Sequence, residues 1–122
     1  MSISNYAELK ILEHTTGKTA WTIPTNVYVK LHTADAGEAG TSSAATETTR
    51  KVAAWATAAS GSIATSATLE WTNVAATETY SHWSLWDAST AGNALWSGAL
   101  ASSAAVTAGD TFQITSLTLT LD

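Results

Sequence analysis

Tyr80-Ser81-His82-Trp83-Ser84-Leu85-Trp86-Asp87 is the stretch that decides the fold of this 122-residue chain. Residues 88–93 supply turn formers, and Ala-Leu-Trp-Ser-Gly-Ala-Leu follows at 94–100. Two such runs separated by a short polar turn predict consecutive antiparallel strands. Because many short strands punctuated by Gly, Asn and Asp are typical of all-β domains, we predict a mainly β, antiparallel sandwich of the jelly-roll type, with a barrel as the alternative. The other predicted strands span 26–32, 50–57, 62–64, 68–72, 111–114 and 117–121.

Residues 4–13 predict one short helix near the N-terminus, with Ser2 or Ser4 as N-cap and Gly17 beyond its end. We expect its apolar residues Leu9 and Leu12 to pack against one end of the sheets. Since 122 residues match the common size of one domain, we predict a single domain over 1–122. Within it, 1–17 form an N-terminal arm and helix, and 33–49 form a long exposed loop.

Composition excludes several functions. The formal net charge is -5 and the few basic residues do not cluster, which argues against nucleic acid as a partner. Without cysteine, neither a disulfide framework nor a thiolate metal site can form. The N-terminus lacks the pattern of a secretion signal, and no apolar run reaches the roughly 20 residues of a membrane span, so we expect a soluble chain without a membrane partner.

Six tryptophans against one phenylalanine need an explanation. On strand alternation, Trp83 and Leu85 face the core, with indole N–H groups bonded to backbone acceptors. The same alternation places Trp86 on the opposite face, beside Tyr80 and His82. An exposed aromatic platform there would stack on a sugar ring or on a partner protein.

Catalysis is not indicated by any motif. The three histidines are far apart and form no spaced metal motif, and each of the glycines at 61, 92, 98 and 109 stands alone, outside any phosphate-binding or nucleophile fingerprint. Asp35, Asp87 and Asp110 lie in predicted loops, where aspartate commonly bonds local backbone N–H groups. We therefore predict no enzymatic activity, no catalytic residue, no cofactor and no metal.

The order of the motifs resembles a family of small tailed-bacteriophage virion proteins labelled phage tail fiber proteins. The similarity covers Ser4-Asn5-Tyr6, the segments 27–35 and 37–41, Arg50 with Val52, and most of all His82-Trp83-Ser84-Leu85-Trp86-Asp87-Ala88, 92–100, 108–111 and 117–122. The chain departs from the family pattern at Ala36, where proline is frequent, and at Thr48-Thr49, where glycine and tyrosine are frequent.

The resemblance implies a virion structural protein, assembled in the host cytoplasm and then carried on the particle. Because a chain without repeats cannot form a long fibre shaft, a homotrimeric capsid decoration protein is the first expectation. A tail-fibre or tail-tip role, or a module binding host-surface glycan, is the alternative. The expected partners are further copies of the chain and either the major capsid protein or tail proteins. The candidate interface residues are Ile3, Asn5, Tyr6, Asp35, Glu38, His82 and Trp86.

Overall fold

The computed structural model describes residues 1–121, and in that range the chain is mainly β with a single helix. The elements are β1 (Ser2–Ile3), α1 (Asn5–Thr15), β2 (Val27–His32), β3 (Lys51–Ala53), β4 (Ser62–Ala64), β5 (Leu69–Trp71), β6 (Glu78–Trp86), β7 (Ala94–Val106), β8 (Phe112–Ile114) and β9 (Thr118–Thr120). The predicted mainly β, antiparallel class with one short N-terminal helix is confirmed.

The strands form three antiparallel sheets. A five-stranded sheet has the order β1-β7-β6-β2-β3, and β4 pairs with β9 and β5 with β8 in two small sheets. In the large sheet, Val29 lies opposite Leu85 and Leu31 opposite Trp83. These pairs share one face of the sheet, as alternation predicts.

This apolar face of the large sheet joins the two small sheets in one core. Val29, Leu31 and Leu85 are buried together with Leu69 and Trp71 of β5. The small sheets therefore cover one face of the large sheet. The indole Nε1 of Trp71 donates to the carbonyl of Thr49 at 2.8 Å, so this buried polar group is paired.

The structure contains strands where the sequence predicted them, but several begin or end at other residues. β4 has the predicted bounds, whereas β3 is shorter than 50–57 and β7 extends past 100 to Val106. The extension includes a break in register with β6, since Tyr80 lies opposite Ala104 but His82 lies opposite Ala99. The family-like C-terminal motif ends at Asp122, which lies outside the described residues.

Helix α1 is anchored through its cap. The Ser4 Oγ accepts from the amide of Ala7 at 3.1 Å, while the Ser4 amide donates to the carbonyl of Leu95 at 2.9 Å. This anchor turns Ala7, which is completely buried, toward the sheet. The expectation that Leu9 and Leu12 pack on the sheets is wrong, because their exposed fractions are 62% and 60%.

Candidate protein-contact surface

The segment 33–49, hereafter the covering loop, lies over the face of the large sheet that points away from the core. Its chain continues the edge beside β2: the Ala45 amide donates to the carbonyl of Leu31 at 3.1 Å, and the Thr33 amide to that of Ser43 at 2.9 Å. Ala36, Gly40 and Ala45 are buried, while most of the loop is exposed. The loop thus has a buried underside and an accessible outer surface.

Trp86 lies beneath this loop. Only 5% of it is exposed, so the expected exposed platform at this residue is wrong. The physical reason is the close approach of Gly40, where an added Cβ would lie 3.1 Å from Cζ2 of Trp86 and 2.8 Å from Cβ of Ala94. A glycine at this position lets the loop backbone seal the indole from solvent.

Tyr80 also departs from the expected platform, because its side chain is completely buried and belongs to the core. Its ring packs edge-on against Phe112 of β8 with a centroid separation of 5.1 Å. The register break between Tyr80 and His82 explains the error, since simple alternation does not hold across it. Of the three platform residues, His82 alone is half-exposed.

A chain of hydrogen bonds runs below the covering loop. His32 Nδ1 lies 2.8 Å from the carbonyl of Ser42, which can only accept, so Nδ1 carries the proton. Nε2 then accepts from Ser84 Oγ at 2.7 Å, and that hydroxyl accepts from Nε1 of Trp86, also at 2.7 Å. The neutral imidazole satisfies every donor and acceptor in the chain.

The electrostatic setting keeps this imidazole neutral. Burial is the largest cause of a lowered pKa at His32, and the nearby Lys30 and His82 lower that pKa further, whereas hydrogen bonds to the backbone of Ser42 and Ser43 act in the opposite direction. Although Ser84 and His32 form a serine–histidine pair, both side chains are completely buried. The pair therefore holds the loop and is not presented to a substrate.

Arg50 closes the same layer from the side. Its guanidinium lies 4.0 Å from the centroid of the Trp86 ring, and Nη1 donates to the carbonyls of Ala88 and Ala91 at 2.8 and 2.7 Å. The turn between β6 and β7 is held further by Asp87, whose Oδ1 accepts from the amide of Asn93 at 2.7 Å. These groups organise the turn, as predicted for a loop aspartate.

The N-terminal arm and the covering loop, both predicted to carry contacts, lie side by side. Ser2 Oγ donates to Oε1 of Glu38 at 2.8 Å across them. Next to this bond is an open cleft of about 400 Å³, lined by Asn5, Tyr6, Glu38 and the edge of Trp86 among others. Hereafter we call this region, residues 1–6 with 36–41, the arm–loop surface.

The remaining predicted contact residues do not line this cleft. Ile3 is half-buried in β1 opposite Trp96. Asp35 Oδ1 accepts from the amide of Gly37 at 2.9 Å, which is a local turn contact. His82 lies opposite Ala99 in the large sheet and its Nδ1 is 2.8 Å from Ser81 Oγ. The structure therefore brings together Asn5, Tyr6, Glu38 and Trp86, and leaves Ile3, Asp35 and His82 outside their cleft.

Sequence reasoning missed a second feature, an apolar groove of about 510 Å³ between the layers. Trp21, Trp55 and Trp96 line it, and Ile23 at its rim is 87% exposed. Its tryptophans come from three distant segments, so only the aromatic bias of the composition pointed to such a place. The lining offers few polar groups, which a sugar-binding site would need.

Other chemistry finds little support. Among residues 1–121, no group of three or more His, Asp or Glu side chains is arranged to hold a metal ion. No helix in the described part of the chain is long and apolar enough to cross a membrane. What the structure does present is a β scaffold with an arm and a hydrogen-bonded loop on one surface.

This architecture is that of a small, mainly β protein with antiparallel sheets and one short helix near its N-terminus. The family model described as Podophage GP4 fiber I protein gp80 matches residues 2–122. The chain therefore belongs to this phage fiber family, and it is a structural protein of the virion. No curated protein matches the chain. The resemblance to phage tail fiber proteins noted in the sequence is confirmed.

Proposed function

We propose that this protein is a binding component of the phage fibre apparatus, attached to its virion partner through the arm–loop surface. The observation that carries the proposal is the bond from Ser2 Oγ to Glu38, which unites two segments distant in sequence into one accessible patch. Asn5 and Glu38 are exposed there. A patch held by hydrogen bonds before contact loses less conformational entropy on binding than two free segments would.

The proposal includes a homotrimer. Only 12% of the residues are charged, and Leu9, Leu12 and Ile23 are largely exposed, so contact between copies would remove apolar surface from water. Many symmetric copies also multiply a modest affinity. Light scattering on the purified protein tests this part: a mass of three chains is expected, and a monomer at all concentrations would contradict it.

Capsid decoration is the second candidate. It is favoured by the compact fold of a 122-residue chain without internal repeats, which suits a cap better than a shaft. The family description favours the fibre. An exposed Trp86 was the reason to consider binding of host-surface glycan. Its ring lies beneath the covering loop, so it is not free to stack on a sugar.

Cryo-electron microscopy of the particle tests the location. Density for this fold on the fibres or at their attachment points is expected, whereas copies spread over the capsid shell would establish the second candidate. The surface is tested by incorporation of Glu38→Lys into particles. Glu70→Lys is a matched control, because Glu70 is also an exposed glutamate that accepts one side-chain hydrogen bond, from Gln113. Loss with Glu38→Lys alone supports the arm–loop surface, and equal incorporation of both variants overturns it.

A further inference from the structure

The imidazole of His32 connects the large sheet to the covering loop in a way that depends on its protonation state. Its Nδ1–H donates to the loop carbonyl of Ser42 at 2.8 Å, and its Nε2 accepts from Ser84 on β6 at 2.7 Å. The side chain is completely buried. In this arrangement the loop is fastened to the sheet through a neutral histidine.

We infer that His32 is a pH-sensitive latch, which holds the covering loop closed when neutral and releases it when protonated. Protonation places a hydrogen on Nε2, which then can no longer accept from Ser84. The Ser84 Oγ already accepts from Trp86 Nε1 at 2.7 Å, so its own proton loses its acceptor. One protonation therefore disturbs the whole chain of hydrogen bonds.

The ionisable groups around His32 disfavour a positive charge on its imidazole. Lys30 on its own strand and His82 on β6 are both bases. The covering loop contributes the Ser42 and Ser43 backbone, while its acids are engaged elsewhere: Asp35 with the Gly37 amide, Glu38 with Ser2, and Glu47 with the Thr49 hydroxyl. A charged imidazole is consequently stabilised by reaching water, and that requires the loop to lift.

The part of the covering loop that lies over the outer face of the sheet has little apolar area to hold it down. Its buried residues there are Ala36 and Gly40, whereas Ala45 belongs to the core and Glu47 is also buried. One backbone bond joins the loop to β2, from the Ala45 amide to the Leu31 carbonyl, while the Thr33 amide bonds within the loop to Ser43. Beyond Ala45, the Thr46 amide donates to the carboxylate of Glu78. An element with few buried apolar groups opens at lower free energy than the core does.

The size of the effect follows from linkage. If the imidazole is protonated only in the open state, with an ordinary pKa of about 6.5, opening becomes about 30-fold more favourable between pH 7.5 and pH 5.0. Amide hydrogen exchange by NMR measures this, with protection factors at each pH removing the intrinsic rate. The reporters are the Thr33 amide, which bonds across the loop to Ser43, and the Ala45 amide, which bonds the loop to Leu31 of β2.

In the wild-type protein we expect the exchange protection of the Thr33 and Ala45 amides to fall by up to about 30-fold between pH 7.5 and pH 5.0. The protection of the amides of β5 and β8 should change less. His32→Gln keeps a donor and an acceptor but does not titrate, so its protection should be flat with pH, whereas His82→Gln should retain the wild-type response. Unchanged loop protection in the wild type, or an equal loss in β5 and β8, overturns the latch.

A direct observation of the ring keeps the test decisive if His32→Gln does not fold. Ring nitrogen shifts of His32 in the wild type should show the Nδ1–H tautomer at pH 7.5, and its titration should coincide with loss of loop protection. An imidazole that gains a proton while the loop stays protected overturns the inference.

The consequence for the virion, detachment at acid pH, rests on the proposed arm–loop surface. The latch at His32 and the arm–loop surface are tested by different experiments, so either can be overturned without the other. Exchange measured on the isolated protein decides the latch alone, while incorporation of Glu38→Lys into particles at neutral pH decides the surface alone.

Discussion

The guanidinium of Arg50 lies 4.0 Å from the centroid of the Trp86 ring and donates to the carbonyls of both Ala88 and Ala91. One side chain thus covers the indole and fixes the turn between β6 and β7. The planar guanidinium can lie on the indole face while Nη1 donates to both carbonyls, whereas an ammonium group has no planar face to stack there.

Replacing this residue should lower stability. Arg50→Lys should reduce the free energy of unfolding by about 1–3 kcal/mol, because a charged hydrogen bond contributes about 1.5–3 kcal/mol and stacking on an indole adds about 0.5–1. Urea unfolding followed by circular dichroism measures the change. Lys18→Ala, at an exposed site outside the layer, should stay within about 0.5 kcal/mol. A urea midpoint of Arg50→Lys equal to that of the wild type would contradict this stabilising role of Arg50.

Gly40 offers a test of how tightly the covering loop is packed. Gly40→Ala combines a positive φ of 68° with a Cβ only 2.8 Å from that of Ala94. Gly17→Ala has a similar φ of 72° with nothing within 4 Å, so it isolates the backbone cost of about 1–2 kcal/mol. We expect Gly40→Ala to cost at least about 1 kcal/mol more, the typical penalty of overpacking. Equal losses of unfolding free energy would show that the loop does not press on the sheet.

The contacts of Arg50 and Gly40 show why the sequence predicted the strands but not the loop that covers them. Period-2 alternation is strong where a face is buried by large side chains, as at Val29, Leu31 and Leu85, and there the prediction succeeded. The covering loop buries Ala36, Gly40 and Ala45 instead. Small residues leave little hydropathy signal, so a segment that covers a sheet was indistinguishable from a free loop.

The candidate contact residues were predictable only in part. Asn5, Tyr6 and Glu38 were named in two separate segments, and their adjacency in the structure depends on the pairing of β1 with β7. β1 has two residues, which is too short for a periodic signal. Trp86 and Tyr80 were misplaced for different reasons, since the first is covered by the loop and the second lies beyond a register break. The first cause lies outside the residue's own strand, and the second is an irregularity of the β6–β7 pairing that hydropathy does not mark.

Stability should depend on pH through His32. The folded-state pKa of this imidazole is lowered chiefly by burial, so below its ordinary value of about 6.5 the unfolded chain binds a proton that the folded chain does not. The contribution is complete above pH 6.5 and is lost as the pH falls toward the folded pKa, by at most about 1.4 kcal/mol per unit. Urea midpoints from pH 8 to pH 5 measure the slope.

The variant that tests this slope is His32→Gln, which should flatten it because glutamine does not titrate. A wild-type slope that survives in His32→Gln would assign the pH dependence to other groups.

Trp86 should be hidden from solvent quenchers. The ring is 5% exposed, with Gly40 on its edge and Arg50 on its face, so acrylamide should not reach it. Trp86→Phe retains a ring for Arg50 and should leave the quenchable fraction of the fluorescence unchanged. Trp21→Phe, at the half-buried lining of the apolar groove, should reduce that fraction. A loss of quenchable emission in Trp86→Phe would restore an exposed aromatic platform, and with it the case for testing saccharides at this face.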